Sequence, residues 1–241
     1  MKPLTLFRCA VALVASAALA FASADTLPLP PNLIGLASPA GNQLLVGSNA
    51  REAYWPLSLQ FVTQQNQAFC GVATLVMVLN ALDVPAPATP EIAPFKTFTQ
   101  GNVLNESTEK ILPRTVLEQQ GMTLDQFAQL LTSFGVTAEA FHADQRSLKD
   151  FRMAAARELG TPNRYVVVNY LRSALGQERG GHISPLAAYD EGTDRFLVLD
   201  VSRYKYPPVW VKAAELHAAM DTVDADNQGR RRGFVFIRRG P

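Results

Sequence analysis

Apolar positions at helical spacing mark the first half of the chain, and short continuous apolar runs mark the second. Between Phe69 and Leu82, Val72, Leu75, Val76, Leu79 and Leu82 recur at three and four residues, while Met77 and Val78 make the other faces apolar. A helix that is apolar all round is a central, buried one. It ends before Pro85, Pro87 and Pro90, which mark a long irregular connection. A second helix is predicted from Thr123 to Phe134, with Thr123 and Gln126 in capping-box spacing and a stop at Gly135. A third spans Ser147 to Leu159 and stops at Gly160.

From Tyr165 the period changes. Tyr165 to Leu171, Ile183 to Tyr189 and Phe196 to Val201 are β-branched and aromatic runs that predict strands. A short helix from Ala213 to Met220 and a last strand from Phe234 to Ile237 complete the pattern. Helices first and strands later predict an α+β fold.

Composition fits a globular chain: 241 residues, 48% hydrophobic and 18% charged. The first 24 residues predict a signal peptide. Lys2 and Arg8 precede an apolar run from Cys9 to Ala22, too short for an ordinary transmembrane helix, and Ala22-Ser23-Ala24 is a small-x-small cleavage pattern. The expected product is an exported, periplasmic protein beginning at Asp25, with one catalytic domain over residues 25–241. Its N-terminal Thr26 to Pro31 is predicted as an extended arm.

Cleavage would leave 20 basic against 21 acidic residues, a net charge of −1. With no basic block denser than Arg230-Arg231-Arg232, nucleic acid is not an expected partner, nor is a membrane once the signal is removed. A homodimer is left open. Cleavage also removes Cys9, so Cys70 remains as a lone thiol that forms no internal disulfide.

Cys70 falls at the first turn of the buried helix, where free backbone N–H groups and the positive end of the helix dipole favour thiolate. Six residues earlier stands Gln64, whose amide and the Cys70 N–H would form a pair of oxyanion donors. Of the three histidines, His142 sits in a predicted connection and His217 in the helix from Ala213, whereas His182 follows Gly180-Gly181 and leads into a strand. Asp200 closes the next strand, and a hairpin near Glu191 to Asp194 would bring it beside His182. Thiol nucleophile, imidazole base and carboxylate orienter have these residue types in their roles. The same residues also admit a structural reading, with Cys70 in the core, His182 as a satisfied turn histidine and Asp200 as a strand-end cap.

Three stretches carry a family resemblance. They are Gln64-Gln65-Asn66-Gln67-Ala68-Phe69-Cys70-Gly71-Val72-Ala73 running on to Val78-Leu79-Asn80-Ala81-Leu82, then Arg179-Gly180-Gly181-His182-Ile183-Ser184-Pro185, then Leu199-Asp200-Val201-Ser202-Arg203-Tyr204-Lys205-Tyr206-Pro207-Pro208-Val209-Trp210-Val211. In these the chain, from about Ser58 to Ile237, resembles the catalytic domain of phytochelatin synthase, a papain-like γ-glutamylcysteine transpeptidase. The resemblance implies a helical N-terminal half carrying the nucleophile and an antiparallel-sheet C-terminal half carrying His and Asp. It implies Cys70, His182 and Asp200 as the triad, Gln64 as the oxyanion residue and glutathione as substrate. The γ-glutamyl ammonium and carboxylate would then meet Asp224 and Arg232, although the Arg230 to Arg232 run leaves the arginine open and a solvated charged loop is the alternative. Arg203 is a further substrate-binding candidate or an orienter of the active-site loop.

Departures from the plant pattern shape the expected reaction. This sequence has no cysteine-rich C-terminal region and keeps Cys70 alone in its catalytic part, as in short bacterial members. Hydrolysis of glutathione to γ-glutamylcysteine and glycine is therefore expected to dominate over phytochelatin synthesis. No cofactor and no protein-bound metal are expected, although a metal ion can enter as the thiolate complex of the substrate. The competing expectations are another papain-like peptidase, such as a leader-peptide protease, and a noncatalytic thiol or metal-thiolate binding protein.

Overall fold

In the computed structural model, which describes residues 26–90 and 92–240, the apolar runs of the second half become the middle of a seven-stranded sheet. The signal-peptide reading of residues 1–24 lies outside the described residues. In chain order the strands are β1 (Ile34–Gly35), β2 (Val136–His142), β3 (Arg164–Leu171), β4 (Gly181–Asp190), β5 (Arg195–Val198), β6 (Val209–Lys212) and β7 (Gly233–Arg239). Across the sheet the order is β1-β6-β5-β4-β3-β7-β2, and every pairing is antiparallel. The β4–β5 hairpin turns through residues 191–194, as predicted, with Asp190 opposite Arg195.

The helices are α1 (Pro39–Gly47), α2 (Tyr54–Leu59), α3 (Cys70–Ala81), α4 (Glu106–Ile111), α5 (Arg114–Gln120), α6 (Leu124–Ser133), α7 (Leu148–Leu159) and α8 (Ala213–Met220). All residues of α3 from Cys70 to Leu79 are buried. The helix lies against β4, where the Thr74 hydroxyl sits 2.8 Å from the Cys70 carbonyl and 3.2 Å from that of Ile183. Asn80 ties its other end to the chain beyond the proline-rich connection, exchanging two hydrogen bonds with the Phe98 backbone. The predicted capping box of Thr123 and Gln126 opens α6, and Ser147 caps α7. The arm hugs the surface as expected, with the Leu27 N–H donating to the Lys205 carbonyl. Among the described residues no helix is long and apolar enough to cross a membrane.

The α+β class is as expected, but the segregation of helices and strands is less clean than the pattern implied. Strand β2 precedes α7, and β1 precedes every helix. On the edge strand β2, two of the alternate positions are alanines, which give little apolar signal. Helices α1 and α2 contain Pro39, Gly41, Gly47 and Pro56, residues that break a propensity window even where the Ser38-Pro39 start is a good one. The strand predicted to reach Val201 ends at Val198, because the chain turns inward there to bury the Asp200 carboxylate.

Gly233 opens β7 between β2 and β3, opposite both His142 and Asn169. A Cβ at this position would collide with the Phe141 carbonyl oxygen, which is backbone and has no freedom to move aside. Gly233→Ala is predicted to cost about 2 kcal/mol or more, lowering the thermal midpoint by roughly 4–8 °C. An unchanged midpoint by circular dichroism would show that the β2–β7 pairing is not this tight.

Candidate active site

Cys70 is the first residue of α3. No side chain caps this helix, so its first-turn N–H groups have no intrahelical acceptor and point out of the helix end around the thiol. Its neighbour Gly71 leaves room for the Met122 side chain, which a Cβ would strike. The thiol is buried and bonded to the His182 imidazole. Burial pushes the Cys70 thiol up, but the hydrogen bond and charge of His182, a backbone hydrogen bond at Ile183 and the charge of Arg172 together bring it below its ordinary value.

The strand register brings His182 to Cys70. On β4 it lies opposite Tyr170 of β3, whose ring meets the imidazole edge-on at 5.6 Å. Its Nε2 is 2.9 Å from Asp200 Oδ1 and 2.8 Å from the Ser184 hydroxyl. That engagement assigns the neutral-state proton to Nε2 and leaves Nδ1 for the thiol. Burial and the Arg172 charge push the imidazole down, while Asp200 and the bond to Cys70 push it up, and the balance is above the ordinary histidine value.

Asp200 has no solvent exposure. Its Oδ1 accepts from Arg172 Nη2 at 2.8 Å and from the Ser202 N–H at 2.8 Å, beside the His182 contact. Arg172 Nη1 lies 2.8 Å from Oδ2 as an ion-pair contact, while its directed bond goes to Gln177 Oε1. Burial pushes the Asp200 carboxyl up, but His182 and Arg172 hold it well below the usual carboxylate range. Arg172 was missed from sequence. It follows the predicted strand ending at Leu171, and nothing in the local pattern distinguishes it from a solvated strand-end arginine. In the structure its N–H donates to the Gly180 carbonyl.

The thiol and imidazole open into a cavity that Asn169, Asp224 and Arg232 also line, with the Arg232 guanidinium against the Gly181 backbone. Of the three arginines in the Arg230 to Arg232 run, Arg232 lines the cavity. Arg230 turns outward to Asp125 and Arg231 to Asp221, whereas Arg232 is buried, donates to the Thr222 hydroxyl and Val223 carbonyl, and pairs with Asp224 at 3.3 Å. Its Nε is buried without a partner.

The other sequence candidates stand elsewhere. Gln64 is buried, but its Nε2 donates to the Asn66 carbonyl and the Tyr204 hydroxyl. Arg203 is exposed, lies outside the cavity wall and stacks on Phe61 at 4.8 Å. His142 ends β2 and is not in an open connection: its Nδ1 contacts the Arg231 carbonyl, and its Nε2 lies 3.3 Å from Asp125. His217 faces the Arg146 carbonyl from α8. Among the described residues no group of three or more His, Cys, Asp or Glu could hold a metal ion.

Fold and site define a thiol–imidazole–carboxylate protein, its sulfur on a helix and its base on an antiparallel sheet. The family model described as phytochelatin synthase matches residues 24–234, and the chain belongs to that family. Glutathione gamma-glutamylcysteinyltransferase 3 of Lotus japonicus is 37% identical over 215 residues, 88% of this chain and 43% of the relative. Glutathione gamma-glutamylcysteinyltransferase 2 of Arabidopsis thaliana is 35% identical over 88% of this chain and 46% of its own length. The chain thus spans less than half of these curated relatives. A solved double glycine motif protease from an AMS/PCAT transporter, in complex with the leader peptide, aligns at a TM-score of 0.41 and 11% identity over 74% of this chain and 89% of that one.

Two outcomes test the electrostatics. Because the thiol sits below 9.0 through His182, iodoacetamide labelling of Cys70 should persist below that pH and fade as pH falls through the lowered value. In His182→Ala burial is opposed only by the Ile183 backbone bond and the Arg172 charge, so labelling at neutral pH should drop by about tenfold or more; equal profiles would show that the imidazole does not tune the thiol. Arg172→Met leaves Asp200 buried with a weakened partner set and should cost about 3 kcal/mol of stability. A wild-type unfolding midpoint in denaturant would mean that His182 and the Ser202 N–H suffice to compensate the carboxylate.

Proposed function

We propose that the protein acts on glutathione as a γ-glutamylcysteinyl-transferring thiol enzyme, through a thioester on Cys70. The observation that carries this reading is the shared cavity, lined by both the Cys70–His182 pair and the buried Asp224–Arg232 pair. An acid and an arginine match the ammonium and α-carboxylate of a γ-glutamyl group, and Arg232 Nε is still free to donate. The names of the relatives and the family model support the same substrate.

In this mechanism the Cys70 thiolate attacks the carbonyl carbon of the cysteinyl–glycine bond. The developing oxyanion takes hydrogen bonds from the Cys70 N–H and a Gln64 amide hydrogen, which must leave one of its present acceptors. Collapse breaks the C–N bond, and His182 protonates the departing glycine amine. Water then attacks the thioester and gives its proton to His182. γ-Glutamylcysteine leaves, and the thiolate is restored. Asp200 holds the ring and stabilises its charged form throughout.

Hydrolysis is proposed to dominate over transfer to a second glutathione. Among the described residues Arg232 is the one cationic side chain in the cavity wall besides the imidazole, and toward α5 and α6 the wall includes Val116, Gln120, Met122 and Gln126. A second glutathione, with two carboxylates, finds no second arginine or lysine there. A metal ion enters this scheme as the glutathione thiolate complex, as substrate.

Mass spectrometry of protein incubated with glutathione, with and without cadmium, tests the reading. The expected products are glycine and γ-glutamylcysteine in equal amounts, with an acyl adduct on Cys70 and none in Cys70→Ala. Longer γ-glutamylcysteine oligomers as the main product would overturn the preference for water. Absence of both glycine and adduct would overturn the substrate.

A further inference from the structure

Ser202 joins the two halves of the site. Its N–H donates to Asp200 Oδ1 at 2.8 Å, and its hydroxyl donates to Gln64 Oε1 at 2.7 Å. Gln64, Asp200 and Ser202 are all buried, so none of these groups exchanges its partner for water. The Ser202 carbonyl accepts from the Lys205 and Tyr206 N–H groups, which makes the segment a tight turn and fixes the hydroxyl's position. The Gln64 N–H is itself bonded to the Val201 carbonyl, so the two segments are tied at backbone and side chain.

An amide side chain has two ends of similar shape and opposite hydrogen-bonding character. With Oε1 held by a hydroxyl donor, Nε2 is turned toward the Asn66 carbonyl at 2.7 Å and the Tyr204 hydroxyl at 3.0 Å. The same Asn66 carbonyl accepts from the N–H of Phe69, the residue before Cys70. The nitrogen end of Gln64 is therefore moored to the turn that starts the nucleophile helix. Of its two acceptors, Tyr204 is the more easily given up, being the longer contact and 46% exposed.

We infer that Ser202 is a positioning residue that holds the Gln64 amide with its nitrogen toward the reacting carbonyl at Cys70. This rests on the acyl-transfer reading of the site. Ser202→Ala leaves Oε1 buried without a donor and frees the amide to turn, while the backbone N–H to Asp200 is kept. The charges that tune Cys70 and His182 are untouched.

Kinetics of glycine release from glutathione, normalised to Cys70 titrated with iodoacetamide, test this. Ser202→Ala should lower kcat about five- to tenfold with little change in KM, the size of one lost neutral hydrogen bond. The pH profile of Cys70 alkylation should stay at the wild-type position, and Ser202→Thr, which keeps the hydroxyl, should recover most of the turnover. In a Gln64→Ala background the Ser202→Ala change should have no further effect.

A wild-type kcat in Ser202→Ala, or an equal penalty in the Gln64→Ala background, would overturn the inference. A shifted alkylation profile would also overturn it, placing the role of Ser202 at Asp200. Intact turnover in Gln64→Ala would overturn the inference as well, whereas if Cys70→Ala still releases glycine it is the acyl-transfer reading that fails.

Discussion

A carboxylate with no solvent exposure is the constraint around which this site is built. Asp200 ionised in the interior requires compensation, and a guanidinium, a backbone N–H and an imidazole supply it from three segments of the chain. The local structure follows from that demand. Strand β5 stops at Val198 so that the chain can dip, and residues 172–175 form a single 3-10 turn that carries Arg172 beneath the acid. Arg172 also lies over the Tyr206 ring at 5.3 Å, so the motif segment after Asp200 closes over the cation that the acid requires.

The same pairing governs the imidazole through two opposed effects. Arg172 holds Asp200 ionised, and the ionised acid raises the His182 value, while the Arg172 charge acting directly on the ring lowers it. The thiol receives help from both, since the charges of His182 and Arg172 each favour thiolate against a burial penalty that alone would suppress it. Stability follows the signs. The Asp200 contribution is full above its unfolded value near 3.8 and is lost as pH falls toward the lowered folded value. The His182 contribution runs the other way, full below 6.5 and lost as pH rises through the raised value.

Much of this was legible in the chain, for physical reasons that differ by element. Helix α3 declared itself because it is apolar on every face, and α6 because Thr123 and Gln126 spell out a reciprocal cap. The hairpin that brings His182 to Asp200 was readable from two apolar runs and a turn between them. Strand β2 was not, since an edge strand with half-exposed alanines has almost no period, and His142 was misplaced along with it. Arg172 escaped because its partner is 28 residues away and burial of a charge leaves no local pattern. Arg203 sits in a distinctive motif, but the side chain of that motif that bonds to Gln64 is its neighbour Ser202, while Arg203 stacks on Phe61.

The two glycines before His182 show why one short motif couples binding to reactivity. Gly180 adopts a φ of +128°, a conformation that L side chains rarely take. Its carbonyl accepts from the Arg172 N–H, so this turn is tied directly to the residue beneath the acid. Gly181 has a different reason. A Cβ there would lie 3.3 Å from Arg232 Nε, which means that the guanidinium rests against bare backbone one residue from the imidazole. A side chain at 181 would press on that guanidinium and shift it by a few tenths of an ångström. The glycine pair thus sets how closely the buried guanidinium lies beside the imidazole, in the one cavity that both line with Cys70.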